Sequence, residues 1–186
     1  MNGYVLIGGR SQRMGRSKTD LFLPRALAVA RLVFDTVYAV QRAGGQAAGE
    51  VETIFEPSHV DEAPAFGVLR ALEHAAGRCF IMAVDYPLLT AEVLRYLAER
   101  TQASPALLIA PRWDERVQIL CAGYDGAVLG PRLAERIASG RLDLKGLAAG
   151  AESEILEEGV LRVRFEGEPL RNVNTPEEFQ EAMRAT

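Results

Sequence analysis

The chain has 186 residues, of which 48% are hydrophobic and 25% charged, a composition typical of a globular domain that buries one sizeable core. Its formal net charge of -4 argues against a protein that works on nucleic acid, and no apolar run approaches the roughly 18 residues of a membrane span. Cys79 and Cys121 form no CxxC pair, which excludes a zinc site or disulfide framework of the usual spacing. With no charged leader before a long apolar segment, we expect one cytoplasmic domain over residues 1–186, with neither nucleic-acid nor membrane partners.

The first half of the chain alternates short apolar runs with helical patterns. Residues 4–7 are apolar and end at a glycine, and residues 79–84 form a continuous apolar run, as expected of strands buried on both faces. Residues 68, 69, 72 and 75 place apolar side chains on one helical face. The predicted strands are 4–7, 33–40, 51–56 and 79–84, and the predicted helices are about 24–31 and 67–75.

The second half continues the same alternation. Thr90 provides a cap signal for a helix, and the final TPEEF stretch has Thr175 as N-cap, Pro176 at the first helical position and Glu178 completing a capping box. The predicted strands are 106–111, 118–124 and 160–165, and a further helix is predicted at about 130–139. This order predicts an α/β fold with a doubly wound, mostly parallel sheet and helices on both faces.

The stretch LIGGRSQRMGRSK, residues 6–18, follows the first predicted strand. Ligands of open parallel sheets bind beyond the carboxyl ends of the strands, so this loop and Asp85 are expected at the functional edge. Gly8 and Gly9 let backbone N–H groups approach phosphate oxygens closely, and Arg13 and Lys18 supply positive charge. The spacing is neither that of a Walker loop nor that of a dinucleotide fingerprint. On charge and glycine content alone, a glycine turn with solvated arginines is equally compatible with this loop.

The whole stretch resembles the signature L-A-G-G-x-S-x-R-M-G-x-D-K of the molybdenum cofactor nucleotidyltransferases, in the double-glycine form of the guanylyltransferase branch. Seven residues fall on the pattern: Gly8, Gly9, Ser11, Arg13, Met14, Gly15 and Lys18. Two depart from it, because Ile7 replaces an alanine and Ser17 an aspartate. After the lysine, the chain also lacks about half a dozen residues that the family commonly has.

Four further segments resemble the family's motifs in the family's order. They are EAPAFGVLRAL, AVDYPLL, RVQILCAGY and NVNTPEEF. Ala63 stands where the first of these usually has a glycine, and Ile119 stands where the third commonly has a proline. The resemblance implies a Rossmann-like nucleotidyltransferase fold and transfer of GMP from GTP to the terminal phosphate of molybdopterin, with release of pyrophosphate.

The resemblance also implies roles for individual residues. Arg13, Lys18 and Asp85 would be catalytic, with Asp85 as the Mg²⁺ ligand, a role that suits a carboxylate at the end of a buried strand. The nucleotide-binding set would be Leu6, Ile7, Gly8, Gly9, Ser11, Arg13, Lys18, Glu56, Gly67 and Asp85. Gln118, Asn172 and Asn174 would bind the acceptor or support the metal. Molybdenum-insertion proteins and molybdoenzyme chaperones are the partners that the family implies, beside GTP and molybdopterin.

Several readings remain open at this point. Asp85 could be a capping residue, Asn172 could serve only to cap the last helix, and Gln118 could be a solvated loop residue. Trp113 could stack on a pterin ring or cover a strand edge. The protein could also use CTP or a sugar or polyol phosphate acceptor, or be a degenerate paralogue that binds nucleotide without turnover.

Overall fold

The structure is a computed structural model that describes residues 1–7, 18–59, 61, 63–149, 152–173, 178 and 181, with the backbone alone for residues 18–20. Within these ranges the strands are β1 (Asn2–Ile7), β2 (Val37–Gln41), β3 (Glu52–Phe55), β4 (Arg78–Ala83), β5 (Leu108–Trp113), β6 (Arg116–Val117), β7 (Cys121–Asp125) and β8 (Ser153–Leu156). The helices are α1 (Lys18–Arg31), α2 (Pro64–Ala75), α3 (Ala91–Ala103), α4 (Gly126–Ala138), α5 (Lys145–Ala148) and α6 (Glu158–Arg164).

In the described part of the chain, eight strands form a sheet in the order β3-β2-β1-β4-β7-β5-β6, with β8 paired to β5. The strands β3, β2, β1 and β4 are mutually parallel, and β8 is parallel to β5. Strand β7 runs antiparallel to both of its neighbours, β4 and β5. The predicted α/β fold with a mostly parallel sheet is therefore confirmed, with an antiparallel strand inserted beside β4.

Alternating residues of the central strands bury opposite faces of the sheet. Phe80 and Met82 of β4 belong to a core that includes side chains of α1, α3 and α6. Cys79 and Ile81 of the same strand belong to a core on the opposite face, with side chains of α2 and α4. Because successive side chains of a strand point to opposite faces, the continuous apolar run of β4 requires helices on both sides.

The first helix differs from its prediction. We predicted a helix from about residue 24 and a strand over residues 33–40, whereas α1 begins at Lys18 and β2 at Val37. Pro24 lies inside α1. An interior proline costs about 3 kcal/mol, but burial of Phe22 and Leu27, each 1% exposed, contributes about 1.5–3 kcal/mol per side chain. Tertiary packing thus outweighs the local cost of the proline.

The prediction of a strand over residues 160–165 is wrong, because this segment is the helix α6. Leu161 and Phe165 are buried, whereas Val160 and Val163 are 57% and 91% exposed. The buried pair has the i, i+4 spacing of a helix, and Glu158 pairs with Arg162 at 2.7 Å across one turn. The strand of this region is β8, which comes just before α6 and was not predicted.

The other predicted elements agree with the structure to within a few residues, whereas β6 and α5 were not predicted. Thr90 caps α3 by accepting a hydrogen bond from the Val93 N–H at 3.3 Å. The predicted strand over residues 118–124 is β7, which begins at Cys121. The predicted last helix lies mostly outside the described residues, although Glu178 and Glu181 have helical backbone. Among the helices described, not one is both long and apolar enough to cross a bilayer.

Candidate functional site

A cavity of about 220 Å³ opens where the four parallel strands end. Because β1, β2, β3 and β4 run in the same direction, their carboxyl ends meet at one edge of the sheet, where ligands of open α/β sheets bind. We name this space the edge cavity. Its lining comes from strand ends, the segments after them and the start of α2: Leu6, Ile7, Val40, Arg42, Glu56, Ala63, Pro64, Gly67, Ala83, Asp85 and Leu120.

Asp85 lies two residues beyond the end of β4 and lines the edge cavity. Its neighbours Val84 and Tyr86 are 3% and 5% exposed, so the turn that carries it is packed in place. The backbone carbonyl of Asp85 accepts a hydrogen bond from the N–H of Val173 at 3.0 Å. This contact ties the NVN segment to the turn after β4.

Glu56 follows β3 directly and is 9% exposed. Its backbone N–H donates to the carbonyl of Gln41 at 2.8 Å, which fixes it to the end of β2. Its side-chain Oε2 lies 2.8 Å from Nε2 of His59. A nearly buried carboxylate with a fixed backbone therefore faces the edge cavity.

Gly67 lies in the first turn of α2, which begins at Pro64 rather than at Gly67 as predicted. A Cβ atom at this position would lie 2.9 Å from Oε1 of Glu56 and 3.5 Å from Leu6. A side chain here would displace the Glu56 carboxyl group, so the glycine leaves room for that group beside the helix.

A larger cavity of about 1010 Å³ lies beyond the β6–β7 connection. We name it the basic cavity, because Arg112, Arg116, Lys145 and Arg171 line it together with the acidic Asp114 and Glu115. Gln118 and Asn172, which we predicted on the acceptor side, both lie in its lining. A cavity with this excess of cationic side chains suits an anionic ligand.

The side chain of Gln118 is held on both of its polar atoms. The hydroxyl of Tyr86 donates to Gln118 Oε1 at 3.1 Å, and Gln118 Nε2 donates to the carbonyl of Trp113 at 3.0 Å. Burial, with a smaller contribution from Cys121 and Asp85, raises the pKa of Tyr86 well above its ordinary value. The hydroxyl therefore stays protonated and remains a donor at physiological pH.

The backbone segment 118–120 contributes to the lining of both cavities. Leu120 lines the edge cavity, whereas Gln118 and Ile119 line the basic cavity. The N–H of Ala83 donates to the Leu120 carbonyl at 2.7 Å, and the N–H of Cys121 donates to the Gln118 carbonyl at 2.9 Å. The segment before β7 is thereby fixed against the end of β4.

The predicted site residues divide into four groups. Leu6, Ile7, Glu56, Gly67 and Asp85 meet at the edge cavity, and Gln118 and Asn172 meet at the basic cavity. Lys18 is the first residue of α1, directly after the loop. The predictions for Gly8, Gly9, Ser11, Arg13 and Asn174 lie outside the described residues.

Some residues of the two cavities were not predicted. Arg42 lines the edge cavity just after β2, as Glu56 does after β3. Its position after a predicted strand could have identified it as a site residue. Tyr86, next to Asp85, gave no signal beyond its place after a buried strand. Trp113 is 0% exposed with the Arg162 guanidinium 4.2 Å above its ring, so it covers a strand and does not stack on a ligand.

A sheet whose carboxyl edge carries an acidic residue beside a glycine-bearing helix start is the arrangement of a nucleotide-binding α/β protein. Residues 3–154 match the family described as MobA-like NTP transferase domain. The chain belongs to this family of nucleotidyltransferases.

Individual proteins agree with this assignment. A Mycobacterium tuberculosis H37Rv protein named probable molybdenum cofactor guanylyltransferase is 32% identical over an alignment of length 190. The alignment covers 93% of this chain and 88% of that protein. The crystal structure of molybdopterin-guanine dinucleotide biosynthesis protein A from Archaeoglobus fulgidus has a TM-score of 0.83 at 24% identity, over 100% of this chain and 98% of that one. A manganese complex of another M. tuberculosis H37Rv protein has a TM-score of 0.64 at 17% identity, over 100% and 98% of the two chains. At these identities the two structures show the fold alone.

Proposed function

We propose that this protein transfers GMP from GTP to the terminal phosphate of molybdopterin, with or without its molybdenum. The observation that carries the proposal is that Asp85 lines the edge cavity while its carbonyl bonds Val173, whose neighbour Asn172 lines the larger basic cavity. A nucleotidyl transfer needs two substrates whose phosphates meet at one point. The names of the family and of the 32% identical relative support molybdopterin and GTP as these substrates.

On this proposal the edge cavity takes the guanine nucleoside. A carboxylate accepts hydrogen bonds and donates none, so Glu56 suits the N–H donors on the guanine edge. The first turn of α2 carries the positive end of the helix dipole, which suits the neighbouring guanine carbonyl. Adenine places an unprotonated nitrogen where guanine has its ring N–H, so the carboxylate disfavours adenine.

The basic cavity takes the phosphorylated acceptor. Arg112, Arg116, Lys145 and Arg171 attract its phosphate, and Gln118 offers an amide that is already oriented by Tyr86 and Trp113. A phosphate oxygen of the acceptor then forms a bond to the α-phosphorus of GTP, and the bond between that phosphorus and the β-phosphate oxygen breaks. Pyrophosphate leaves with the bonding electron pair.

No protein nucleophile is required, because the acceptor phosphate is already an anion. The protein contributes orientation and electrostatic stabilisation, which together account for catalysis in phosphoryl-type transfers. Lys18 begins α1 at the edge where β1 ends, and with Arg13 it would neutralise charge on the α-phosphate and the leaving pyrophosphate. The loop glycines Gly8 and Gly9 would bring backbone N–H groups to the same phosphates.

The acidic residues present fit a divalent cation held together with substrate. Among the described residues there is no group of three or more His, Cys, Asp or Glu side chains that could hold a metal alone. Mg²⁺ commonly binds through one or two carboxylates and completes its shell with phosphates and water, so Asp85 is sufficient. The ion would supply charge neutralisation for the phosphates of GTP.

The test is calorimetric binding of GTP, CTP and ATP with and without Mg²⁺, followed by pyrophosphate release on addition of molybdopterin. We expect Mg²⁺-dependent preference for GTP, and release only when the acceptor is present. Preference for CTP would assign the protein to cytidylyl transfer, and binding without release would make it a nucleotide-binding paralogue. Either result contradicts the proposal.

Two variants test the site assignment. Asp85→Asn and Lys18→Ala should lower turnover by at least about 100-fold without change in the thermal unfolding midpoint, since each removes one charge from the phosphate region. Asp143→Asn is the matched control, because this aspartate lies on the connection between α4 and α5, outside both linings. Wild-type turnover in either site variant would show that the site is wrongly assigned.

A further inference from the structure

His59 lies beside the edge cavity and contacts three groups at once. Its Nε2 is 2.8 Å from Glu56 Oε2, its Nδ1 is 2.6 Å from the backbone carbonyl of Asp61, and its ring stacks on Phe66 with centroids 3.6 Å apart. The side chain is only 14% exposed. The ring is therefore fixed in position and in plane.

The partners of His59 determine where its hydrogens lie. The carbonyl of Asp61 can only accept, so Nδ1 carries a hydrogen that it donates to this oxygen. The contact between Nε2 and the Glu56 carboxyl also needs a hydrogen between the two atoms. The ring is thus held through both of its nitrogens, and Phe66 packs against its face.

This contact gives the two carboxyl oxygens of Glu56 different surroundings. Oε2 is occupied by His59, whereas Oε1 points towards Gly67, 2.9 Å from where a Cβ would be. The backbone of Glu56 is already fixed by its hydrogen bond to Gln41. The bond to His59 restrains the remaining side-chain torsions, so that Oε1 is the oxygen presented to the cavity.

We propose that His59 is a positioning residue that holds the Glu56 carboxylate so that Oε1 meets an N–H donor on the base of the bound nucleotide. The inference rests on the proposed function for the identity of the nucleotide. A glutamate has one more rotatable bond than an aspartate, and each free sp³ torsion has three staggered wells. His59 removes this freedom before the ligand arrives and so favours binding.

Three variants of His59 distinguish a role in holding the Glu56 carboxylate from a role in packing against Phe66 alone. His59→Phe keeps an aromatic ring against Phe66 but removes both donors. His59→Gln keeps an N–H group near the position of Nε2, and His59→Asn keeps one near Nδ1. His74→Phe is the matched control, since the only other histidine of the chain bonds the Tyr4 hydroxyl at 2.9 Å and lines neither cavity.

The measurement is calorimetric affinity for GTP and ATP in the presence of Mg²⁺. We expect His59→Phe and His59→Asn to lose about tenfold in GTP affinity and little in ATP affinity, because only guanine offers N–H donors at positions 1 and 2. His59→Gln should recover most of the loss, and His74→Phe should keep the wild-type ratio of the two affinities. An unchanged ratio in His59→Phe overturns the inference.

A second readout is independent of the substrate. Long-range ¹H–¹⁵N spectra of the free protein contain signals from only two imidazole rings, and His59→Phe assigns one of them. A change in the shifts of the His59 ring nitrogens in Glu56→Gln shows that the ring bonds this carboxyl group, whereas unchanged shifts contradict the inference. Absence of GTP preference in the wild-type protein would instead contradict the proposed function, and these spectra would then decide the role of His59 by themselves.

Discussion

The backbone N–H of Val173 donates to the carbonyl of Asp85 at 3.0 Å. The two residues lie far apart in the sequence, one in the turn after β4 and the other in the segment after α6. Val173 is 0% exposed, so the contact is part of the packed interior. It brings Asn172, in the lining of the basic cavity, close to the carboxylate that lines the edge cavity.

The variant Val173→Pro tests this contact. Proline has nearly the volume of valine but lacks the N–H, so the Asp85 carbonyl loses its donor at a cost of about 1–3 kcal/mol. We expect turnover to fall about tenfold or more while GTP affinity changes little, since the edge cavity keeps its own lining. Val173→Ala keeps the N–H and should retain turnover in enzyme assays. Equal turnover in the two variants would contradict a role for the hydrogen bond.

The variant Tyr86→Phe tests the orientation of Gln118. It removes the hydroxyl that donates to Gln118 Oε1 at 3.1 Å and leaves the contact with Trp113 in place. We expect the KM for the acceptor to rise several-fold and the KM for GTP to stay constant. Tyr4→Phe, which removes a hydroxyl outside both linings, should change neither constant. A rise in the KM for GTP alone would show that Tyr86 acts on the other cavity.

The variant Gly67→Ala tests the close approach of α2 to Glu56. A glycine to alanine change inside a helix usually stabilises by up to about 1 kcal/mol, but here the new Cβ would lie 2.9 Å from Glu56 Oε1. We expect the Glu56 carboxyl group to be displaced and GTP binding to weaken, because the new methyl group takes the place of Oε1. Gly130→Ala in α4 is the control, because its Cβ would make an ordinary contact of 3.6 Å with Leu72. Calorimetry should show weaker GTP binding for Gly67→Ala and unchanged GTP binding for Gly130→Ala.

The variant Cys79→Ala tests the stability of the sheet at alkaline pH. Burial, with a smaller contribution from Asp125, raises the pKa of the Cys79 thiol from 9.0 to about 12. Between these values the unfolded chain releases a proton that the folded protein keeps, so the free energy of unfolding falls as pH rises, by about 1.4 kcal/mol per pH unit for this group. Urea unfolding between about pH 9 and 11 should show a slope shallower by about this amount in Cys79→Ala. An unchanged slope would mean that the thiol ionises equally in both states.

Long apolar runs and capping residues were enough to predict most of the fold. The strand β4 and the helix α3 were predicted from the run after Gly77 and the cap at Thr90, and both are found within one or two residues of their predicted limits. Such elements carry their signal locally, either in a hydrophobic pattern or in a side chain that bonds the first helical turn.

The elements that were missed depend on distant contacts. The sequence of α6 alternates in the manner of a strand, and only the burial of Leu161 and Phe165 against the rest of the fold selects the helix. Strand β8 is half-buried, and it forms because it pairs in parallel with β5. Neither fact can be deduced from a window of a few residues.

Five of the eleven residues that line the edge cavity were in the predicted nucleotide-binding set, since ligands of a parallel sheet bind where the strands end. Leu6, Glu56 and Asp85 follow from that rule together with the family resemblance. The coupling of His59 to Glu56 did not follow, because it depends on the path of the chain between β3 and α2. The roles predicted for the loop after β1 stay predictions, as that loop lies outside the described residues.

The antiparallel pairing of β7 with β4 also affects the order in which the parts of the site form during folding. Strand β4 pairs with β7 only after α3, β5 and β6 have been synthesised, so the wall formed by Gln118, Ile119 and Leu120 depends on a late, non-local step of folding. The strands that surround the edge cavity are contiguous in the first half of the chain and emerge from the ribosome first. A nascent chain therefore has most of the nucleotide pocket before it has the acceptor side of the site.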